Sequence, residues 1–409
     1  MKKYLIGSLV ACTFLSGAGF KISEQSNDGT ALLNSNVATS FGPDASYYNP
    51  ANMMFLDDSR HYFENSFSYL HLNKIKFTDK SGQKYESKAA RAFVPTFHFV
   101  SPEYYANWRF GLSLFAPAGI AMRWDHPAAK ATAQKFQLKV FEVNPTAAYR
   151  ITDDLAIGFG LRALYSQGRA SSEAMIPRAG ATSRTLKGDG INFGYNVALT
   201  YKPTENLSLA ATYRSKVMMK LKGDAKIDVP VGADYDNKAR VEVPMPAALV
   251  LATSYKFKDT TFMFAYERTY WSAWKELDFN YDNATAAQNA NPFFQAYDKA
   301  HPRDWKDTNS YRLGVAHDAT NKLRVMAGFM YDEAASRADK TGFELPDTKS
   351  YVYSAGFNYK FSDDLEFGLA YMYQDRKARE VTRTIQFYPD GKFEKANAQI
   401  VNLGVKYKF

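Results

Sequence analysis

Apolar and polar residues alternate along most of this chain. The segment 400–409 places Val401, Leu403, Val405, Tyr407 and Phe409 at every second position, with Asn402, Gly404, Lys406 and Lys408 between them. Successive side chains of a strand point to opposite faces, so such a segment has one greasy face and one wet face. The pattern recurs. Leu155, Ile157, Phe159, Leu161, Ala163 and Tyr165 share a face opposite Gly158, Gly160 and Arg162. Leu323, Val325, Ala327, Phe329 and Tyr331 stand opposite Arg324, Met326, Gly328 and Met330. Leu365, Phe367, Leu369, Tyr371 and Tyr373 repeat it opposite Glu366, Gly368 and Ala370, and Leu249 to Phe257 does the same.

Fourteen strands are predicted, at 60–73, 91–100, 108–116, 136–150, 155–167, 187–202, 207–222, 239–257, 261–275, 308–317, 322–333, 347–361, 365–375 and 396–409. Short turns (151–154, 203–206, 258–260, 318–321, 362–364, and a slightly longer one at 101–107) alternate with long polar loops at 74–90, 117–135, 168–186, 223–238, 276–307, 334–346 and 376–395. An even strand count, short turns at one end and long loops at the other are the rule for antiparallel outer-membrane barrels. The expected fold class is therefore an all-β transmembrane protein, a 14-stranded antiparallel barrel over residues 59–409. Such a barrel is too wide for its own side chains to fill. Residues 20–56 are rich in Ser, Asn, Gly and Ala without period-two alternation, so the segment 19–58 is expected to fold back as an N-terminal hatch plugging the lumen.

Composition sharpens this picture. Met1-Lys2-Lys3, an apolar run from Tyr4 to Leu15 and the small residues Ser16, Gly17 and Ala18 make a secretory signal peptide over 1–18. A lipoprotein box at Leu9–Cys12 would leave too short an apolar stretch before it. Cys12 is the only cysteine, so cleavage beyond it leaves no thiol and no disulfide. The mean hydropathy of −0.40 suits a water-soluble protein, yet 28 Tyr and 30 Phe are present. A barrel reconciles the two, because only alternate residues face lipid. No later apolar run is long enough for a membrane helix. The formal charge of +9 falls to +7 without Lys2 and Lys3, and its even spread in an exported product speaks against nucleic acid as a partner. There is no G-x-S-x-G, H-E-x-x-H or P-loop, and the 6 histidines lack metal-ligand spacing, so neither enzyme nor cofactor is expected.

Several short motifs, weak singly, occur in a telling order: Ala18-Gly19-Phe20, Tyr48-Asn49-Pro50-Ala51, Pro117-Ala118-Gly119, Asn144 to Arg150 (N-P-T-A-A-Y-R), Tyr213-Arg214-Ser215, Pro244-Met245-Pro246, Leu345-Pro346-Asp347 and the terminal Phe409. Through them the whole mature chain resembles the FadL family of outer-membrane transporters for long-chain fatty acids and other hydrophobic compounds. The resemblance implies an N-terminal hatch carrying Asn49, Pro50 and Ala51. It implies entry through a groove among the extracellular loops, a tighter pocket at Phe20, and sideways exit through a kink of the third strand at Pro117, Ala118 and Gly119, with Phe115 beside it. Proline lacks an N–H and glycine tolerates unusual dihedrals, so a wall break there is physically reasonable.

A carboxylate head group wants a cation or several donors. The resemblance draws attention to Lys299, His301 and Arg303 before the tenth strand and to Arg169 and Arg178 after the fifth. Phe293 and Phe294 are candidate groove walls. Trp271 and Trp274 read as interfacial girdle residues. The expected partners are a long-chain fatty acid or other hydrophobic small molecule, outer-membrane lipid and lipopolysaccharide, and the barrel-assembly machinery acting on Phe409; the expected state is a monomer. The alternatives are the same fold carrying aromatic hydrocarbons, a general porin and an adhesin.

Overall fold

The structure, a computed structural model, describes residues 19–57, 59–105, 107–382 and 389–409. The leader expected at 1–18, with Cys12, lies outside the described residues.

A closed antiparallel barrel of 14 strands forms the molecule. In chain order its strands are β1 (Tyr62–Leu72), β2 (Ala90–Val100), β3 (Trp108–Arg123), β4 (Lys135–Thr152), β5 (Leu155–Ile176), β6 (Gly180–Tyr201), β7 (Leu207–Arg214 with Val217–Asp228), β8 (Tyr235–Met245 with Ala248–Phe257), β9 (Thr260–Thr269 with Phe279–Tyr281), β10 (Thr308–Asp318), β11 (Leu323–Asp332), β12 (Ser350–Lys360), β13 (Leu365–Arg376) and β14 (Ala396–Lys408). The ring closes where β1 pairs with β14, Tyr62 opposite Lys408 and Leu72 opposite Ala398. Phe63 stacks on the terminal Phe409 at 5.5 Å, across the same seam.

The outward faces are apolar. Phe193 is 74% exposed and Leu161 is 69% exposed, which only a lipid surround makes favourable. Their neighbours Arg162, Asn196 and Thr200 point inward and are buried. No helix among the described residues is long and apolar enough to cross a membrane.

Inside, residues 19–57 make short helices: Asn27–Ala31, Ser35–Val37, Ala45–Tyr48 and Pro50–Phe55. Polar side chains tie them to strands around the wall. Asn27 Nδ2 donates to Asn358 Oδ1 of β12 at 2.7 Å, and Lys406 Nζ of β14 donates to Asp28 Oδ2 at 2.6 Å. Ser46 meets Ser113 of β3, and Asn49 Nδ2 donates to Thr200 Oγ1 of β6 at 2.8 Å. Arg109 and Arg150 donate to the carbonyls of Met53 and Met54. The wall makes room with glycine: a Cβ on Gly158 would lie 2.5 Å from the Ala51 nitrogen, and one on Gly328 would lie 2.9 Å from the Leu32 carbonyl carbon.

The wall departs from the sequence expectation in several places. β3 does not stop at residue 116 but runs on to Arg123, so Pro117, Ala118 and Gly119 lie within a strand and not at the start of a loop. The strand expected over 207–222 breaks at Ser215 and Lys216, and the one over 239–257 breaks at Pro246 and Ala247. Pro246 has no N–H to offer the ladder, and Ser215 takes up the Tyr195 N–H with its side-chain Oγ at 2.9 Å. The strand expected over 261–275 leaves the wall after Thr269 and returns at Phe279. The supposed loop 168–186 is mostly a tall β5–β6 hairpin, and the loops 74–90 and 376–395 contribute to a small sheet of Lys76–Asp79, Lys84–Glu86, Arg379–Val381 and Gly391–Phe393.

Candidate functional site

β3 builds a window. Against β2 it pairs only over residues 111–114, opposite 97–100. Against β4 it pairs along its length, but the register slips between Phe115 and Ala118. Phe115 faces Glu142 and Ala118 faces Val140, so β3 carries one extra residue, a β-bulge. Beyond it β3 bends away from β2. Ser87 bridges to Trp124 at the far end. Between these two fastenings, β2 and β3 run without the ladder that joins the rest of the wall.

The bent stretch of β3 pairs with the chain's N-terminal residues instead. Ile22 N donates to Pro117 O at 2.8 Å, Gly119 N donates to Phe20 O at 3.0 Å, and Lys21 bridges to Ala118. The segment 20–22 thereby backs the unpaired stretch of β3 from inside. Phe115 is buried beside it, its ring 4.3 Å from that of Tyr47.

Phe20 is fully buried and meets Trp271 and Trp274 edge-on at 5.1 and 5.5 Å. Trp305 closes the group at 4.9 Å from Trp271. The girdle assignment of Trp271 and Trp274 is therefore corrected: both rings are buried in this cluster, because β9 turns inward where they occur. Gly19 has φ +74 and sits so close that a Cβ would lie 2.5 Å from Trp271. Its N–H donates to Asp347 Oδ1 at 3.1 Å, while Oδ2 of the same carboxylate accepts from Ala335 and Ser336.

Two cavities lie on the long-loop side of this cluster. The first, about 600 Å³, is walled by Ile120, Leu138, Leu186, Val241, Trp274 and Leu277. The second, about 860 Å³, shares Phe136, Leu277 and Phe279 with it and adds Phe293, Tyr297, His301, Arg303 and Glu344. A third, about 650 Å³, lies by Lys21, Pro117 and Tyr47 and is ringed by charge. Here Arg162 grips Glu142 with two bonds, at 2.7 and 2.8 Å, and Arg214 reaches the same carboxylate. Glu267 holds Lys21 and Arg312.

The expected site residues divide accordingly. Phe293, His301 and Arg303 come together in the second cavity, where Arg303 pairs with Glu344. Burial, then the charges of Arg303 and Arg184, push the His301 imidazole down to about 4, so it is neutral at physiological pH. Phe294 lies behind that cavity on Tyr235 and Tyr281. Arg169 stands exposed at the rim of the first cavity. Lys299 and Arg178 are exposed, Arg178 at the hairpin tip with φ +65, and neither lines a described cavity. Asn49 caps the helix Pro50–Phe55 by accepting from Ala51 N, and its amide also donates to Val37 O. Sequence reasoning missed Arg184, Trp305 and Tyr297. Each is an ordinary loop or strand position until β9 and its loop fold inward.

The family model described as outer membrane protein transport protein (OMPP1/FadL/TodX) matches residues 8–409. The Escherichia coli K12 long-chain fatty acid transport protein is 25% identical over 433 residues, covering 92% of each chain. Outer membrane protein P1 of Haemophilus influenzae (strain KW20 / Rd) is 24% identical over 316 residues; the match spans 69% of this chain and 66% of that protein's length. A Pseudomonas aeruginosa FadL homologue of known crystal structure superposes with a TM-score of 0.83 at 19% identity, covering 95% of this chain and 99% of that one. This protein is thus an outer-membrane β-barrel that belongs to the OMPP1/FadL/TodX family of transport proteins.

Proposed function

We propose that this protein carries long-chain fatty acids passively across the outer membrane, with residues 19–57 acting as a hatch and the cargo leaving sideways between β2 and β3. One observation carries the reading: Phe20, which packs on the Trp274 wall of the first cavity, belongs to the same short segment, 20–22, that pairs with the bent stretch of β3. Exposing a hydrocarbon tail to water costs about 0.8 kcal/mol per CH₂. A water-filled bore exposes the whole tail, whereas a path from apolar cavity to wall window to bilayer does not. The first cavity takes the tail and the second offers polar groups to a head. Phe293, His301 and Arg303 are the residues of that second chamber, and Phe20 is the gate between cavity and window.

The family's fatty-acid and aromatic-hydrocarbon branches both suit an apolar first cavity. The polar second cavity favours a cargo with a head group, so the fatty acid is preferred. Loss of the gene in a host without a second copy should lower uptake of labelled oleate severalfold; unchanged uptake refutes the reading. A large, steady ion current through the purified protein in a planar bilayer would instead mean an open porin.

A further inference from the structure

The second cavity contains a buried cation with no acid on it. Arg184, on β6, is 5% exposed and lines this cavity. Its guanidinium is held over Phe279 at 4.8 Å and over Tyr297 at 5.2 Å. Nε and Nη1 make no hydrogen bond, and among the described residues no carboxylate forms an ion pair with Arg184. Directly across the hairpin, in register, stands Ser172, whose buried Oγ is also unbonded. The Tyr297 hydroxyl, in the same lining, lacks a partner too. The one acid of the lining, Glu344, is engaged by Arg303.

Buried N–H groups without an acceptor, as at Nε and Nη1 here, are costly, because buried donors are ordinarily satisfied. Here Arg184 and Tyr297 line one chamber whose fixed charge is one positive in excess, and Ser172 stands beside Arg184 across the hairpin. Stacking between two rings orients the guanidinium, but a ring face cannot accept from its in-plane N–H groups as an oxygen does. An anionic oxygen of a ligand would satisfy them together, with its tail running past Phe136 and Leu277 into the first cavity.

We infer that Arg184, supported by Tyr297 and Ser172, is the buried seat for the carboxylate of the cargo and the residue that makes this protein prefer an anionic amphiphile to an uncharged one of the same length. This rests on the transport reading above, and it names a residue outside the loop cations Arg169, Arg178 and Lys299.

The test uses the full mature barrel in detergent, with binding of radiolabelled oleate competed by unlabelled oleate or by oleyl alcohol. Wild type should favour oleate by about tenfold or more, the scale of a charge-assisted pair. Arg184→Met should reduce that ratio towards one, Arg184→Lys should restore much of it, and Tyr297→Phe should lower it a few-fold. A merely structural role would weaken both ligands together and leave the ratio untouched. Folding of each variant is checked by its heat-dependent shift in gel mobility. Should Arg184→Met misfold, Arg184→Lys and Tyr297→Phe still decide, and an unchanged ratio in Tyr297→Phe counts against the seat. An undiminished preference in Arg184→Met, or equal competition in wild type, overturns the inference while leaving transport intact. If wild type binds neither compound, the transport reading falls and this inference falls with it.

Discussion

Asp347 shows how much one side chain can anchor. Its carboxylate accepts the backbone N–H groups of Gly19, Ala335 and Ser336, fastening the start of the folded chain to the loop after β11. Asp347→Ala orphans three buried donors at about 1–3 kcal/mol each. A melting temperature lower by several degrees, with Phe20 fluorescence-silent but its Trp271 neighbour more exposed to quencher, is the expected outcome. Glu142 is a second such residue. Glu142→Gln leaves the buried Arg162 and the half-buried Arg214 beside each other without an acid, which should cost about 3–5 kcal/mol in detergent unfolding experiments. His301 adds a pH dependence. Its folded pKa of about 4 lies below the ordinary 6.5, so as pH falls from 6.5 towards 4 the unfolded imidazole takes a proton that the folded one refuses, and stability is lost. At pH 5 the difference is about 2 kcal/mol, and His301→Gln should lose less stability than wild type between pH 7 and pH 5. The sequence marked Phe20, His301 and Arg303 but gave Trp271 and Trp274 to the membrane rim. Nothing in their spacing shows that β9 leaves the wall just before them.

At the level of the strand, alternation located the wall because lipid on one side and polar contacts on the other impose a period of two at every turn of the barrel. Breaks were illegible for the same reason: the pattern runs through Ser215 and Lys216 as if the ladder were whole. Proline and glycine pointed to the disturbance in β3 but not to its outcome, since the strand continues past Pro117 with a new partner. The bulge of one residue makes a sharp prediction. Deleting Ala116 brings Phe115 and Pro117 into line with β4, lets β3 rejoin β2, and closes the window. Oleate uptake by cells should fall to background while oleate binding by the purified barrel persists; uptake that survives with a closed ladder would show the exit lies elsewhere.

For the molecule as a whole, the sequence revealed the cylinder and the need for something within it, but not how the inner segment is held. That attachment depends on pairs hundreds of residues apart, such as Asp28 with Lys406 and Asn27 with Asn358. Local patterning carries no trace of such pairs. Removing residues 19–57 should convert a quiet membrane into one with steady channel current of large amplitude. The short pairing of Phe20 and Ile22 with Pro117 and Gly119 has one more consequence. On the proposed route, a molecule that pushes Phe20 aside to enter would also tug on β3, so loading and release would be two ends of one lever. A short guest that nestles against the tryptophans without shifting Phe20 would then stay put, a stopper for the very route a longer one opens for itself.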